Sequence, residues 1–334
     1  MKAIILVAGI GIKLRPHTHT QPKALVPVAG KPILAHIIDT LISGGIEELI
    51  FIVGYLGGKI ESYVTTSYSR QKIKTQFIRQ EPRKGTGHAV WSAREYIKDE
   101  KEILIMLGDS ILNLDMPKLL NSQNSVLGVK KVDTPTLFGV AEVDKDGLVK
   151  KLVEKPTIPK SNRALVGIYK IGEVSLLLEA ADHIVTNKIK THGEYQLTDV
   201  LMYMINKGAN MTLFEVDHWY DCGRKESLLE ANAILLGHPR FQNNFKNKYP
   251  GTSIIPPVSI GKNCKINSSI VGPNVALGDN TIVSYSIVKY TIVGSFSEIK
   301  SAVLENSIIG NDTSLEGLSL SLNIGDNTEI HFKN

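Results

Sequence analysis

Between positions 6 and 27 the chain reads Leu-Val-Ala-Gly-Ile-Gly-Ile-Lys-Leu-Arg-Pro-His-Thr-His-Thr-Gln-Pro-Lys-Ala-Leu-Val-Pro, directly after an apolar run. Gly9 and Gly11 carry no Cβ, so the backbone there can turn sharply and approach a ligand closely. Lys13, Arg15 and Lys23 bring three cations to the same stretch, and Pro16, Pro22 and Pro27 stiffen it. A glycine turn at a strand's end, followed by fixed cations, is an arrangement that holds a polyphosphate. Two common phosphate loops do not fit. A dinucleotide fingerprint needs a third glycine opening a helix, but Leu14 stands there and Pro16 follows at once. A Walker loop needs Gly-Lys-Ser/Thr, which is absent.

The elements that must position this loop follow from patterning. At 334 residues and 43% hydrophobic content, the chain can bury more than one core, so two domains are expected. Short apolar runs over Lys2–Val7, Glu48–Val53, Lys74–Arg79 and Glu102–Leu107 predict strands. Helical spacing over Pro32–Ile42, Gly57–Thr66 and Thr86–Ile97 predicts helices between them. Alternation of this kind implies an α/β fold with a mostly parallel sheet and helices on both faces. Ligands of such sheets sit at the strands' C-terminal ends, where Gly9, Gly11 and Gly108-Asp109 all fall.

From about Ser253 the periodicity changes. Aliphatic residues recur six apart, as Ile260/Ile266, Val271/Leu277, Val293/Ile299, Ile309/Leu315 and Ile324/Ile330, and Gly261, Gly272, Gly294, Gly310 and Gly325 follow the first members. Five coincident pairs predict a hexapeptide-repeat parallel β-helix rather than a meander with turn glycines. The expected division is 1–236 for the α/β part, 237–252 for a proline-bearing linker and 253–334 for the repeats.

Net charge is +5, from 38 Lys and Arg against 33 Asp and Glu, and the basic residues are scattered. This argues against nucleic acid and for small anionic partners. Cys222 and Cys264 form no CxxC, which points to neither zinc nor a disulfide framework. No run approaches 18 apolar residues and the strand starts at Lys2, so no membrane span or leader is expected and a cytoplasmic protein is.

The opening loop resembles the signature of the sugar-1-phosphate nucleotidylyltransferases, the enzymes that make nucleotide sugars. Their Gly-x-Gly-x-Arg-Leu-x-Pro, Pro-Lys and Lys-Pro pattern falls on Gly9, Gly11, Lys13, Leu14, Pro16, Pro22-Lys23 and Lys31-Pro32. The resemblance continues in order through Gln80, Gly85-Thr86-Gly87-His88-Ala89, Leu107-Gly108-Asp109, Phe138-Gly139-Val140, Glu154-Lys155-Pro156, Val166-Gly167-Ile168-Tyr169, Gly193–Asp199, Trp219-x-Asp221-x-Gly223 and Glu230-Ala231-Asn232. It implies a Rossmann-like catalytic domain. It also implies that Ala8, Gly9, Gly11, Gln80, Gly85 and Thr86 bind the nucleotide, and that Gly139, Glu154, Lys155, Val166 and His192 bind the sugar phosphate. Asp109 and Asp221 would hold Mg²⁺, and Lys13, Lys23, Asp109 and Lys155 would be catalytic.

Physical chemistry supports those residue types. A nucleoside triphosphate and a sugar 1-phosphate bring several negative charges together, and the sugar phosphate is already an anionic nucleophile. In-line attack on the α-phosphorus therefore needs cations and positioning more than a base. Taken alone, Asp109 could cap the next segment and Glu154-Lys155 could be a solvated pair; the matched motifs raise the ligand reading. His88, Trp219 and Cys222 are expected to pack rather than react.

Two positions depart from the family. Lys13 stands where the family has Arg, keeping charge but losing the bidentate fork, and His192 stands where many members have Arg. The expected activity is nucleotidyl transfer from dTTP or UTP to a sugar 1-phosphate such as glucose 1-phosphate. The alternatives are a uridylyltransferase acting on glucose or N-acetylglucosamine 1-phosphate, and a weakly active regulatory relative. The overall layout, including Ser319–Asp326, resembles the long glucose-1-phosphate thymidylyltransferases with a left-handed β-helix. Acyl transfer by the repeats is not expected, because His331 is the only histidine beyond the linker. The repeats would instead serve homo-oligomer contacts or regulation.

Overall fold

The computed structural model describes residues 1–241, 248–317, 319–320 and 322–331. Part of the expected linker (242–247), Leu318, Ser321 and the last three residues lie outside the described residues.

The chain forms two compact units that do not follow its order. One comprises Met1–Ile10 and His36–Trp219; the other comprises Gly11–Ala35 and Tyr220–Asn334. In the first unit, nine strands form one sheet among the described residues. Lys2–Val7 lies at its centre, parallel to Glu48–Val53 on one side and Ile103–Leu107 on the other, and Lys74–Arg79 extends the parallel part. Arg163–Ile171 then runs antiparallel to Ile103–Leu107, and Gly139–Val143 pairs antiparallel with Val149–Glu154. Ser125–Lys131 and Met211–Glu215 complete the sheet. It is mixed and mostly parallel in its first half, as the strand–helix alternation predicts. The antiparallel half left no such periodic mark.

Strand alternation explains why both faces are covered. Ile4, Leu6, Ile50, Ile52, Ile103 and Ile105 join one core with the helices Thr86–Ser92, Val174–Thr186 and Leu197–Asn206. Ile5, Leu49, Phe51, Leu104 and Met106 alternate with them and are equally buried. The segment predicted as one helix over Thr86–Ile97 is two, Thr86–Ser92 and Arg94–Ile97, joined at buried Ala93.

In the second unit the repeat region is a β-helix of three parallel sheets, each of five strands among the described residues. Ile266, Val283, Ile299, Leu315 and Ile330 stack on one face, and Ile260, Leu277, Val293, Ile309 and Ile324 on the next. The six-residue pairs are thus successive faces of one coil. One glycine is reassigned. The stack at this corner is Gly261, Gly278, Gly294, Gly310 and Gly325, where a Cβ on each of the first four would lie within 2.7 Å of backbone in the next coil. Gly272 sits elsewhere, at φ +110° against the Ile255 carbonyl. Another corner is left-handed, with Asn263, Asn280, Phe296, Asp312 and Asn327 at φ between 50° and 60°, four of the five being Asn or Asp. Asn and Asp tolerate that conformation better than other residues with a Cβ.

Ile299 is fully buried in this core. Ile299→Ala is expected to cost about 2–5 kcal/mol in a urea unfolding series, through lost transfer energy and the cavity left behind.

Candidate active site

The residues expected to act fall into two sets, one in each unit. In the first unit the parallel strands deliver them. Ala8 follows the central strand, and its carbonyl accepts from Tyr55 N at 3.4 Å. Gly9 is exposed, and a Cβ there would meet nothing within 4 Å, so its glycine is not required by protein packing. Gly108 is different: its N–H bonds the Leu6 carbonyl at 3.0 Å, and a Cβ would lie 2.3 Å from Val7 Cγ1. It lets the chain turn beside the central strand and places Asp109, half-buried, at that strand end.

Gln80 leaves the outermost parallel strand and is buried. Its Nε2 donates to the Gly85 carbonyl at 2.9 Å and to His88 Nδ1 at 3.0 Å, which commits both N–H groups and leaves the amide oxygen as an acceptor. His88 packs against Trp91 and Tyr195, as expected for a supporting residue. Gly85 has φ +110°, and a Cβ there would lie 2.4 Å from the Tyr195 carbonyl; at Gly87 it would lie 2.8 Å from the Gln196 carbonyl. Gly87 N and Tyr195 N close the contact by donating to the Tyr195 and Lys84 carbonyls, each at 2.8 Å. Thr86 Oγ1 accepts from Leu197 N at 2.9 Å, at the start of the Leu197–Asn206 helix. These two motifs, over a hundred residues apart, interlock through backbone. Gly85 and Thr86 therefore have a structural duty that the nucleotide-binding assignment did not include.

The sugar-phosphate set gathers at the end of the Gly139/Glu154 strand pair. Glu154 Oε2 accepts from Thr198 Oγ1 at 3.3 Å, and a Cβ on Gly139 would press to 3.0 Å from that oxygen. Lys155 turns out of the strand at φ +43°, its N–H bonded to the Phe138 carbonyl and its ammonium 3.6 Å from Glu154 Oε1. About half of the Lys155 side chain is exposed, so the ion pair leaves the cation available to an anion. His192, also left-handed at φ +51°, uses Nε2 to donate to the Glu154 carbonyl at 3.2 Å. Val166 is buried within its strand, so its side chain supports the site rather than lining it.

Sequence reasoning gave no role to Tyr169, Thr198 or Arg83. Tyr169 is buried, and its hydroxyl pKa is pushed up by burial first and then by the Glu154 and Asp109 carboxylates. It is therefore a neutral donor near both, and it ties the sugar and metal assignments to one neighbourhood. Arg83 lies with its Cδ 3.0 Å from where a Gly54 Cβ would be, as does Ala8 Cβ. The signal for Arg83 was its place between Gln80 and Gly85. Trp219 donates from Nε1 to Ser110 Oγ at 3.2 Å and meets Phe138 edge-on, which is a packing role.

The second unit carries the rest. Gly11, at φ +72°, would place a Cβ 2.8 Å from Lys23 Cβ, so glycine lets the Lys23 stem lie along the loop. Thr18 Oγ1 donates to the Gly11 carbonyl at 2.8 Å. Lys13 is exposed on a short 3-10 turn anchored by buried Leu14. Asp221 lies with Oδ1 2.8 Å from where a Gly223 Cβ would stand, which accounts for the small residue there. Cys222 is buried, as expected.

Residues 2–237 match the family model described as nucleotidyl transferase. The chain belongs to the nucleotidyltransferase family. It is 33% identical to the bifunctional protein GlmU of Methanococcus vannielii, over 97% of this chain and 81% of that one. It is 30% identical to a glucose-1-phosphate thymidylyltransferase of Streptomyces antibioticus, over 93% and 92%. A solved UDP-glucose pyrophosphorylase with UDP-glucose bound superposes with a TM-score of 0.61, covering 70% of this chain and 97% of its own, at 23% identity; that likeness concerns the fold.

Within this nucleotidyltransferase, among the described residues, no three histidine, cysteine or acidic side chains cluster as a metal cage. Asp109 in the first unit and Asp221 in the second each offer hard carboxylate oxygens, the donor type that Mg²⁺ takes together with substrate phosphates. Among the described residues, no helix is long and apolar enough to cross a membrane.

Burial lowers the pKa of both His17 and His88 from the ordinary 6.5. The unfolded chain then binds more protons than the folded one just below 6.5, so stability falls as pH drops through that value and levels off once the folded rings protonate. Urea midpoints measured from pH 7.5 downward are expected to show this fall, and His88→Gln should reduce it.

Proposed function

We propose that the protein transfers a nucleotidyl group from dTTP or UTP to a sugar 1-phosphate, with glucose 1-phosphate the first candidate, giving a nucleotide sugar and pyrophosphate. The observation that carries this reading is the corner where Glu154, Thr198, Lys155 and His192 meet, a hydroxyl-binding carboxylate with cation and imidazole beside it. That chemistry fits a sugar bearing a phosphate. The Gln80 oxygen adds a base preference, since it can accept from the ring N–H of thymine or uracil, which cytosine and adenine lack at that ring nitrogen.

In the reaction, a phosphate oxygen of the sugar 1-phosphate attacks the α-phosphorus, a new O–P bond forms, and the α–β bridging bond breaks to release pyrophosphate. No base is required. Lys155 holds the acceptor phosphate, while Glu154 and the Gly139 backbone hold sugar hydroxyls. Ala8, Gly9 and Gly11 give the triphosphate backbone access, and Lys23 and Lys13 offset its charge and that of the leaving group. The role assigned to Asp109 and Asp221 is to hold Mg²⁺, which when bound would neutralise phosphate charge and align the in-line geometry. The division into residues 1–236 for catalysis and 253–334 for self-association, the linker between them, and a cytoplasmic setting complete the reading.

A poorly active nucleotide-sugar binder is the second reading. It rests on Lys13, which stands where the family pattern has arginine, and on His192, which stands where many members have it, with the His192 Nε2 bonded to the Glu154 carbonyl. Pyrophosphate release across four nucleoside triphosphates and several sugar 1-phosphates separates the two; binding without turnover in every pair would defeat the first.

Two variants sharpen it. Lys155→Ala is expected to raise KM for the sugar 1-phosphate roughly 10–100-fold, the loss of one charge-assisted contact, with KM for the triphosphate little changed. Lys13→Arg should leave the melting temperature intact and change turnover; identical kinetics would place Lys13 away from the phosphates.

A further inference from the structure

The phosphate loop is mounted on the β-helix. His17, buried in the loop, donates from Nε2 to Asn323 Oδ1 at 2.6 Å, and Asn323 Nδ2 reaches the Arg15 carbonyl at 3.5 Å. Thr20 Oγ1 donates to Asp326 Oδ2. The other Asp326 oxygen accepts from Asn311 N at 2.6 Å, and Asn311 Nδ2 donates to Gln21 Oε1 at 3.0 Å. Pro16 packs over Gly325, where a Cβ would come within 3.2 Å of the proline ring. Further along, buried Asn232 accepts from Ala29 N at 2.9 Å and donates to the Asn274 carbonyl at 3.1 Å.

These contacts have a common geometry. Asn311, Asn323 and Asp326 come from the last two coils, and between them they bond four residues of the Arg15–Gln21 stretch. That stretch lies between Lys13 and Lys23, the two cations assigned to the triphosphate. Its regular structure is one short 3-10 turn, His17–His19, which is too little to fix a loop by itself. Ordering it costs conformational entropy that outside partners must offset.

We propose that Asn323 and Asp326 are positioning residues for the triphosphate: the terminal coils of the β-helix hold the signature loop in its phosphate-binding shape. The β-helix then acts in catalysis by supporting a loop, with no reactive group of its own. This inference rests on the proposed nucleotidyl transfer for its kinetic consequence, though not for the brace itself.

The test uses full-length Asn323→Ala, Asp326→Ala and Asp326→Asn. Lys300→Ala serves as control, since it removes a side-chain contact between neighbouring coils, the 2.7 Å ion pair to Glu316, elsewhere on the β-helix. Hydrogen exchange by mass spectrometry and steady-state kinetics are read on each. Both alanine variants should speed exchange over residues 15–21, leave the other coils protected, and raise KM for the triphosphate about tenfold, the scale of losing one or two hydrogen bonds. KM for the sugar 1-phosphate should stay unchanged, the control should match wild type, and Asp326→Asn, which keeps an acceptor, should recover most of the effect. Unaltered exchange over 15–21 overturns the brace. Faster exchange with both KM values unchanged, or both raised alike, overturns the positioning role. A wild-type protein without turnover defeats the proposed reaction; the exchange result, with dTTP affinity by calorimetry in place of KM, then decides the inference.

Discussion

A loop that offers cations to a polyphosphate cannot stabilise itself. Lys13, Arg15 and Lys23 repel one another, two glycines loosen the backbone, and three prolines restrict its own hydrogen bonding. Its shape has to be imposed by partners. In this protein they are the Thr18–Gly11 bond, the Lys23 stem against Gly11, and the amide and carboxylate groups of Asn232, Asn311, Asn323 and Asp326. The two compact units follow from the same constraint, since residues 11–35 belong with the β-helix although the strand that launches them belongs to the sheet.

In the sheet unit the constraint is close backbone approach. Gly85 and Gly87 admit the Tyr195 and Gln196 carbonyls, and Gly108 admits the central strand. These contacts fix Gln80 and Asp109 at strand ends without using the side chains proposed to meet substrate. Around them, Tyr169 senses both the Glu154 and Asp109 carboxylates, and burial with those charges keeps it a neutral donor. Positioning here falls to small residues.

Much of this was legible in the sequence. The central strands appear as short apolar runs because both faces are buried, and the six-residue aliphatic spacing appears because each coil stacks on the next. Glu154-Lys155-Pro156 and Gly85-Thr86-Gly87 could be placed at strand and helix ends by motif. What was hidden is long-range. Asn311, Asn323 and Asp326 look like ordinary turn residues of a repeat, and nothing local shows that they face His17, Thr20 and Gln21, some 300 positions away. The break at Ala93, the displacement of Gly272 from the glycine stack and the structural duty of Thr86 are likewise set by tertiary neighbours.

The proposed reaction moves the nucleotidyl group, α-phosphorus included, onto a sugar phosphate. Dilute protein, Mg²⁺, glucose 1-phosphate and dTTP or UTP labelled with ³²P at the α-position test it most directly, with products resolved by chromatography. Label is expected in a nucleotide sugar, formed one for one with unlabelled pyrophosphate and only when the sugar phosphate is present. Label that stays in the triphosphate with every sugar 1-phosphate supplied, or that appears as free nucleoside monophosphate, would contradict it.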